Sequence, residues 1–301
     1  DNRHGYGILT SDTSIYKGQW QNDMPNGQGI LTERNGEEVY KGDFLNDEKH
    51  GQGKLTIYNS NNIAIRSYDG QWQHNMRNGE GIYHNNERGN IYNGQWRDDM
   101  RHGTGIYSSD KRRYEGQWKD DMRHGTGIYS SDNSRYEGQW KDDMRHGTGE
   151  MRDLDKSIYN GEWKDNKKHG TGKFIDSDGS IYEGQWKDNN KHGEGSYINA
   201  DQDIIYITTW DNNFMSGKGE IQMFENDIVT VYETTFKNNS YKEQPLKISK
   251  YQNINDDHEL IKVLDGTIDP EQPGYQNIGG ELQGKFKVFF TQVPNNLYYH
   301  Y

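Results

Sequence analysis

The sequence predicts an all-β protein, a single-layer, elongated and twisted ribbon of repeated antiparallel β-hairpins that ends in a small mixed C-terminal cap. Two observations predict this fold. The phrase Tyr-x-Gly-x-Trp recurs every 22 to 28 residues, and Gly-x-Gly follows its Trp position after seven residues in every copy but the last. Self-similarity at such a period is typical of repeat arrays. The copies begin at Tyr16, Tyr40, Tyr68, Tyr92, Tyr114, Tyr136, Tyr159, Tyr182, Tyr206 and Tyr232, with Phe in the Trp position of the copies at Tyr40 and Tyr232.

Composition alone would favour a disordered chain, since the mean hydropathy is −1.27 and the formal net charge is −12. The repeat argues against disorder, because the few apolar residues stand at a fixed phase and an array buries only a thin strip between neighbouring units. The acidic balance argues against nucleic-acid binding, which depends on an excess of Lys and Arg. Cysteine is absent, which excludes disulfides and thiolate metal sites and fits a reducing, cytoplasmic compartment.

Each repeat is predicted to form one β-hairpin. The best-preserved copy, which begins at Tyr114, indicates how the two strands of a hairpin pair. Side chains alternate along a strand, so Tyr114, Gly116 and Trp118 share one face of the first strand. If the six residues KDDMRH form the loop, Tyr114 lies opposite Tyr129, Gly116 opposite Gly127 and Trp118 opposite Gly125. Each large ring would then have bare backbone beside it. The glycines with this predicted structural role in the central repeats are Gly94, Gly103, Gly105, Gly116, Gly125, Gly127, Gly138, Gly147 and Gly149.

Residues 101–122 and 123–144 are identical at 20 of 22 positions. Identical neighbours must pack by one repeated operation, which again predicts a regular ribbon of hairpins.

These motifs resemble the MORN repeat (membrane occupation and recognition nexus), of which YEGQWKDDMRHGTGIY is a clean example. The resemblance covers about ten units in residues 1–236. The first unit is half a repeat, so we expect the array to begin upstream of Asp1. The last two units have lost the central Gly to Thr208 and Thr234, and we expect them to be degenerate.

Membership of this family implies a non-enzymatic scaffold that binds proteins along an elongated repeat surface. We expect a setting most like that of radial-spoke-head proteins, in a ciliary, axonemal or other cytoskeletal complex. Two alternatives stay open: a membrane-contact module that binds phospholipid, and a regulatory arm of a kinase or methyltransferase whose catalytic domain lies outside this sequence. No cofactor, small-molecule substrate or nucleic acid is expected.

The aromatic strip is the predicted binding site, because exposed apolar patches usually mark partners. A groove floored by these rings would hold a helix or an extended peptide. The alternative is that the rings only pack against adjacent repeats. The predicted partner groove consists of Tyr83, Trp96, Tyr107, Trp118, Tyr129, Trp140 and Tyr197.

Two other recurring patterns are interpreted as structural. A His precedes most Gly-x-Gly motifs, as at His102 and His124, but columns about 9–10 Å apart cannot share one zinc ion. Asp pairs such as Asp120/Asp121 recur in each loop, whereas a catalytic carboxylate pair is normally unique and set in a pocket. No catalytic or metal-binding residue is therefore predicted. The Lys and Arg beside each His would meet lipid headgroups only weakly, since the Asp residues offset their charge.

Residues 237–301 depart from the repeat and are predicted to fold back as a cap, or to dock a partner. A short helix is expected over His258–Leu264, with Asp257 as its cap and Gly266 as its stop. A Pro/Gly-rich loop and a strand over Lys285–Val293 are expected to follow.

Overall fold

Within each unit of the described chain successive strands pair in antiparallel fashion, which confirms the predicted all-β fold of repeated hairpins. The computed structural model describes residues 2–225, 228–241, 247–253 and 260–267. They fall into two units, 1–151 and 152–301. No α-helix is present in these described ranges, where the only helical segment is a 3-10 turn at Arg34–Gly36. None of the described residues forms a helix long and apolar enough to cross a membrane.

The first unit is an open sheet in which each strand pairs with the next from β1 through β12. Its strands are β1 (Gly5–Thr10), β2 (Ser14–Gln21), β3 (Met24–Glu33), β4 (Glu38–Leu45), β5 (Glu48–Tyr58), β6 (Ala64–Gln73), β7 (Met76–Asn85), β8 (Asn90–Arg97), β9 (Met100–Ser108), β10 (Arg112–Lys119), β11 (Met122–Ser131), β12 (Ser134–Lys141) and β13 (Met144–Asp153).

The second unit is built in the same way, with antiparallel pairing from β14 to β20 and from β20 through β22 to β23. Its strands are β14 (Ile158–Lys164), β15 (Lys167–Ile175), β16 (Ile181–Lys187), β17 (Asn190–Ile198), β18 (Ile204–Asp211), β19 (Phe214–Glu225), β20 (Ile228–Lys237), β21 (Ser240–Tyr241), β22 (Lys247–Asn253) and β23 (Leu260–Thr267).

The hairpin of each repeat turns on two residues rather than on the six that we predicted. In the hairpin of β10 and β11 these are Asp120, with φ 48°, and Asp121, with φ 69°. A two-residue turn that matches the twist of its strands needs positive φ at both positions, which Asn and Asp tolerate best. The pairs that adopt this conformation are Asn22/Asp23, Asn46/Asp47, His74/Asn75, Asp98/Asp99, Asp120/Asp121, Asp142/Asp143, Asp165/Asn166, Asp188/Asn189, Asn212/Asn213 and Asn238/Asn239.

The register of this hairpin confirms two of the three predicted pairs. Tyr114 lies opposite Tyr129 and Gly116 opposite Gly127, but Trp118 lies opposite Arg123. The predicted pairing of Trp118 with Gly125 is therefore wrong. The shorter turn brings Arg123 level with the Trp, and a bulge then skips Gly125 and Thr126 before the ladder resumes.

The missing Trp–Gly pair is made between repeats. Strand β10 pairs on its other side with β9, where Trp118 lies opposite Gly103, Gly116 opposite Gly105 and Tyr114 opposite Tyr107. The same pairing joins Trp140 to Gly125 and, in the second unit, Trp186 to Gly170. The strand pairing that the sequence predicts within one hairpin is thus found between the first strand of a hairpin and the second strand of the preceding repeat.

The sheet of the second unit continues beyond the last repeat. Strand β22 pairs with β20, and β23 pairs with β22. The predicted helix over His258–Leu264 is wrong for its described residues, because Leu260–Thr267 is a strand. Residues 268–301, with the predicted loop and the strand at Lys285–Val293, lie outside the described residues, so the cap stays a prediction.

We expect Gly127→Ala to lower the free energy of unfolding by about 1–3 kcal/mol, because a methyl group there overpacks a filled site. A Cβ atom at Gly127 would lie 2.6 Å from Cζ of the Tyr114 ring. Hydrogen exchange measured by mass spectrometry should show loss of protection in β9 to β12. Thr126→Ala is the control, since Thr126 is exposed on the other face. Equal protection in both variants would contradict the register.

Candidate functional site

One face of each sheet carries all the first-strand aromatic residues, and we call it the aromatic face. In the repeat of β10 and β11 it bears Tyr114 and Trp118 from the first strand and Arg123 and Tyr129 from the second. The opposite face bears Gln117, His124 and Thr126. The two faces differ because side chains alternate along each strand.

The first-strand Tyr lies flat across two glycines and is almost fully buried in a single-layer sheet. Tyr114 is 2% exposed, and its ring fills the space where side chains of Gly116 and Gly127 would stand. Its hydroxyl donates a hydrogen bond of 2.9 Å to the carbonyl oxygen of Gln117. Burial raises the pKa of Tyr114, since ionisation would place a charge on a desolvated ring.

The Trp of each repeat joins two Tyr rings into a continuous ladder. Trp118 meets Tyr114 of its own repeat edge-on at 5.0 Å between centroids, and Tyr92 of the preceding repeat at 5.4 Å. Its indole N–H donates to the carbonyl oxygen of Gly105 at 3.1 Å. Edge-to-face pairs contribute about 0.5–1.5 kcal/mol each beyond burial. The ladder therefore couples each repeat to the one before it within a unit.

The residue between Gly and Trp closes the bulge. The Gln117 Oε1 atom accepts a hydrogen bond of 2.9 Å from the backbone N–H of Thr126, one of the residues that the hairpin ladder skips. Its side chain lies where a side chain on Gly125 would stand, and Gly125 has φ +59°. In another repeat Glu162 accepts the equivalent bond from Thr171 at 2.8 Å. The residue between Gly and Trp must accept a hydrogen bond, which explains why it is usually Gln, Asp or Glu.

A cation covers the Trp ring on the aromatic face in most repeats. The guanidinium carbon of Arg101 lies 4.1 Å from the centre of the Trp118 ring, a cation–π distance. Arg101 also contacts the next turn. Its Nε lies 2.9 Å from Asp121 Oδ1, and its backbone N–H donates a hydrogen bond of 3.0 Å to the same oxygen. The second turn residue thus connects neighbouring hairpins.

The structure divides the predicted partner groove into buried and half-buried residues. Trp96, Trp118 and Trp140 are each 5% exposed, beneath their cations and against the Tyr ladder. The half-buried members, which present ring surface to solvent, are Tyr83, Tyr107, Tyr129 and Tyr197. The partly exposed members of the predicted groove are therefore the second-strand Tyr residues.

The His column lies on the opposite face and meets the first turn residue of the following hairpin. Nδ1 lies 3.4 Å from the nearer carboxylate oxygen both in His102/Asp120 and in His124/Asp142. No group of three or more His, Asp or Glu side chains with the geometry of a metal site occurs among the described residues. The Asp pairs act as turn residues, and their conformation accounts for their recurrence.

The match to known families agrees with this geometry. A family model described as the MORN repeat matches nine segments of the chain, namely residues 16–37, 40–61, 68–86, 92–111, 114–135, 136–155, 159–181, 182–204 and 206–222. These segments cover more than half of the sequence.

The chain belongs to the MORN-repeat family.

MORN repeats are scaffold modules that take part in protein or lipid interaction. No curated protein matches this sequence significantly. The matched segments start at the Tyr of each motif, so each contains most of one hairpin. The copy at Tyr232, which has Thr234 in place of the central Gly, lies outside the match.

The loss of the central Gly changes the ladder at its C-terminal end. Thr208 takes the place of that Gly, and a Cβ at Gly219 would lie 2.7 Å from the Thr208 Cβ. The Thr side chain therefore fills the space that a Tyr ring occupies over two glycines in the regular repeats. Tyr206 is accordingly half-buried and tilts against Tyr197 at 6.1 Å. The last regular contact of the ladder is Tyr182 with Trp210 at 5.2 Å.

We expect Gln117→Leu to destabilise its repeat by about 1 kcal/mol, because the Thr126 N–H loses its acceptor. Gln117→Glu should stay within about 0.5 kcal/mol of the parent, since Glu162 makes the same bond in a natural repeat. Local hydrogen exchange at Thr126 reports both effects. Similar losses in both variants would show that shape rather than the acceptor matters.

We expect stability to fall as the pH rises from about 10 towards 12. Burial raises the pKa of Tyr16 and of Tyr136 from the ordinary 10.0 to about 12, so the unfolded chain releases their protons first. Urea unfolding across this range measures the decline. Tyr136→Phe should make the decline shallower, and an unchanged slope in that variant would contradict the assignment.

Proposed function

We propose that this chain is a non-enzymatic scaffold that holds other proteins along its aromatic faces, in a ciliary, axonemal or other cytoskeletal assembly of the cytoplasm. The observation that carries the binding role is the row of half-buried second-strand rings. Tyr107 and Tyr129 recur at the same place in successive repeats and lie over no further layer of the described chain. Tyr is well suited to such contacts because it supplies a large rigid area with few rotatable bonds.

The cations of this face support a protein partner over a lipid surface. In the first unit the guanidinium groups of Arg77, Arg101 and Arg123 are each 2.9 Å from an Asp carboxylate. Attraction to anionic headgroups depends on uncompensated Lys and Arg near the surface. Paired cations between aromatic rings instead offer apolar area and hydrogen-bond donors, the combination that is enriched at protein interfaces.

The ciliary or cytoskeletal setting is the narrower part of the proposal. Its support is the resemblance of the Tyr-x-Gly-x-Trp and Gly-x-Gly array to those of radial-spoke-head proteins. A repeated face offers many equivalent sites, as a spacer or organiser in a filament-associated complex requires.

Site-specific photo-crosslinking in native cell extract tests this proposal. We expect p-benzoyl-phenylalanine in place of Tyr129 to capture axonemal or other cytoskeletal proteins, identified by mass spectrometry. The matched control places the same group at Thr126, three residues away on the opposite face, and should capture less. Capture of membrane lipid, or equal capture from both positions, would contradict the proposal.

A further inference from the structure

In several repeats of the first unit an acidic turn residue compensates the cation above the Trp. Arg77, Arg101 and Arg123 take Asp99, Asp121 and Asp143 as their ion-pair partners, each at 2.9 Å. These Arg side chains are only about a quarter exposed, so a nearby carboxylate matters more than it would in open water.

The chain changes both members of this pair in three repeats, at Lys49/Asn75 in the first unit and at Lys168/Asn189 and Lys191/Asn213 in the second. Lys49 has the Glu38 carboxylate at 4.0 Å. Lys191 stands at the position that Arg101 has in its own repeat, and Asn213 stands at the position of Asp121. Asn213 keeps the turn conformation, with φ 73°, and accepts the Lys191 backbone N–H at 2.8 Å. Among the described residues no carboxylate lies within ion-pair distance of the Lys191 ammonium.

Three aromatic rings surround this ammonium. Its nitrogen lies 4.8 Å from the centre of the Tyr197 ring and 5.0 Å from those of Tyr182 and Trp210. Burial lowers the pKa of Lys191, and the charge of Asp176 acts in the opposite direction. The faces of the rings attract a cation, yet they do not replace a counter-ion. A half-buried ammonium without a counter-ion gains free energy when an anion approaches it.

The neighbouring positions are apolar. Met215 occupies the cation position of the next repeat, opposite Trp210, and is half-buried. Tyr206, displaced from its seat by Thr208, is half-buried beside Tyr197. The face here offers one positive charge that has no carboxylate of the described residues at ion-pair distance and is bordered by apolar side chains.

We propose that Lys191, Tyr197, Tyr206 and Met215 form a docking site for an acidic protein segment in which a Glu or Asp side chain is flanked by apolar residues. The carboxylate pairs with the Lys191 ammonium, and the apolar side chains pack on Tyr197 and Met215. Charge complementarity selects this occupant, because the fold supplies the missing carboxylate internally wherever the turn residue is Asp. The inference rests on the proposed protein-binding function of the aromatic face.

Fluorescence anisotropy of the intact chain with a labelled ten-residue peptide of alternating Glu and Leu tests this site. We expect Lys191→Gln to weaken binding about tenfold, as for the loss of one close charge pair. Asn213→Asp should weaken it about three- to tenfold, because the introduced carboxylate competes for the ammonium as Asp121 does for Arg101. Lys187→Gln removes an equal charge from an exposed side chain outside the site and should leave the affinity within about twofold.

The same peptide with Gln in place of Glu separates this inference from the broader proposal. Equal binding of both peptides would overturn the acidic docking site and leave protein binding by the aromatic face intact. Binding of neither peptide, with photo-crosslinking at Tyr129 also negative, would overturn both. Binding of phosphatidylserine vesicles that is lost in Lys191→Gln, without binding of the Glu peptide, would assign the site to a lipid headgroup and overturn the peptide proposal.

Discussion

The close approach of a Tyr ring to two glycines is the constraint on which each repeat depends. A single-layer sheet has no second layer to cover its apolar face, so the ring has to bury itself against the backbone of its own sheet. The space over Gly116 and Gly127 allows this, and Tyr114 becomes 2% exposed without any covering element. The hydroxyl meets the Gln117 carbonyl at 2.9 Å, so the polar end of the ring is satisfied as well.

The other recurring residues follow from that arrangement. The Trp fills the space between two seated Tyr rings, and its N–H is bonded to the second Gly of the preceding repeat. The bulge at Gly125 leaves the Thr126 N–H without a partner across the hairpin, and the Gln117 amide accepts it. The turn places an Asp or Asn beside the cation that covers the neighbouring Trp. Each motif position thus has a contact within its hairpin or with the repeat before it.

The sequence was sufficient for the fold and for part of the register. Alternation along the strands predicted the Tyr114–Tyr129 and Gly116–Gly127 pairs. It did not predict the two-residue turn, because an Asp pair between charged residues is also typical of a solvated loop. The recurrence of Asn or Asp at two adjacent positions, two residues after most of the Trp residues, was the signal for positive φ. The strand at Leu260–Thr267 was missed because capping residues favoured a helix there, while pairing with β22 decides the conformation.

The register between repeats has a consequence for how such a chain changes length. The Trp118 indole N–H donates a hydrogen bond to Gly105, and its ring meets Tyr92 edge-on. Each repeat therefore contributes half of each interface and completes the half that its predecessor leaves open. A tandem copy of a 22-residue segment therefore arrives with both of its interfaces already specified by its own residues. Residues 101–122 and 123–144, which differ at only two positions, have the character of such a recent duplication. Gene slippage or unequal recombination can lengthen this array in single steps that require no compensating substitution.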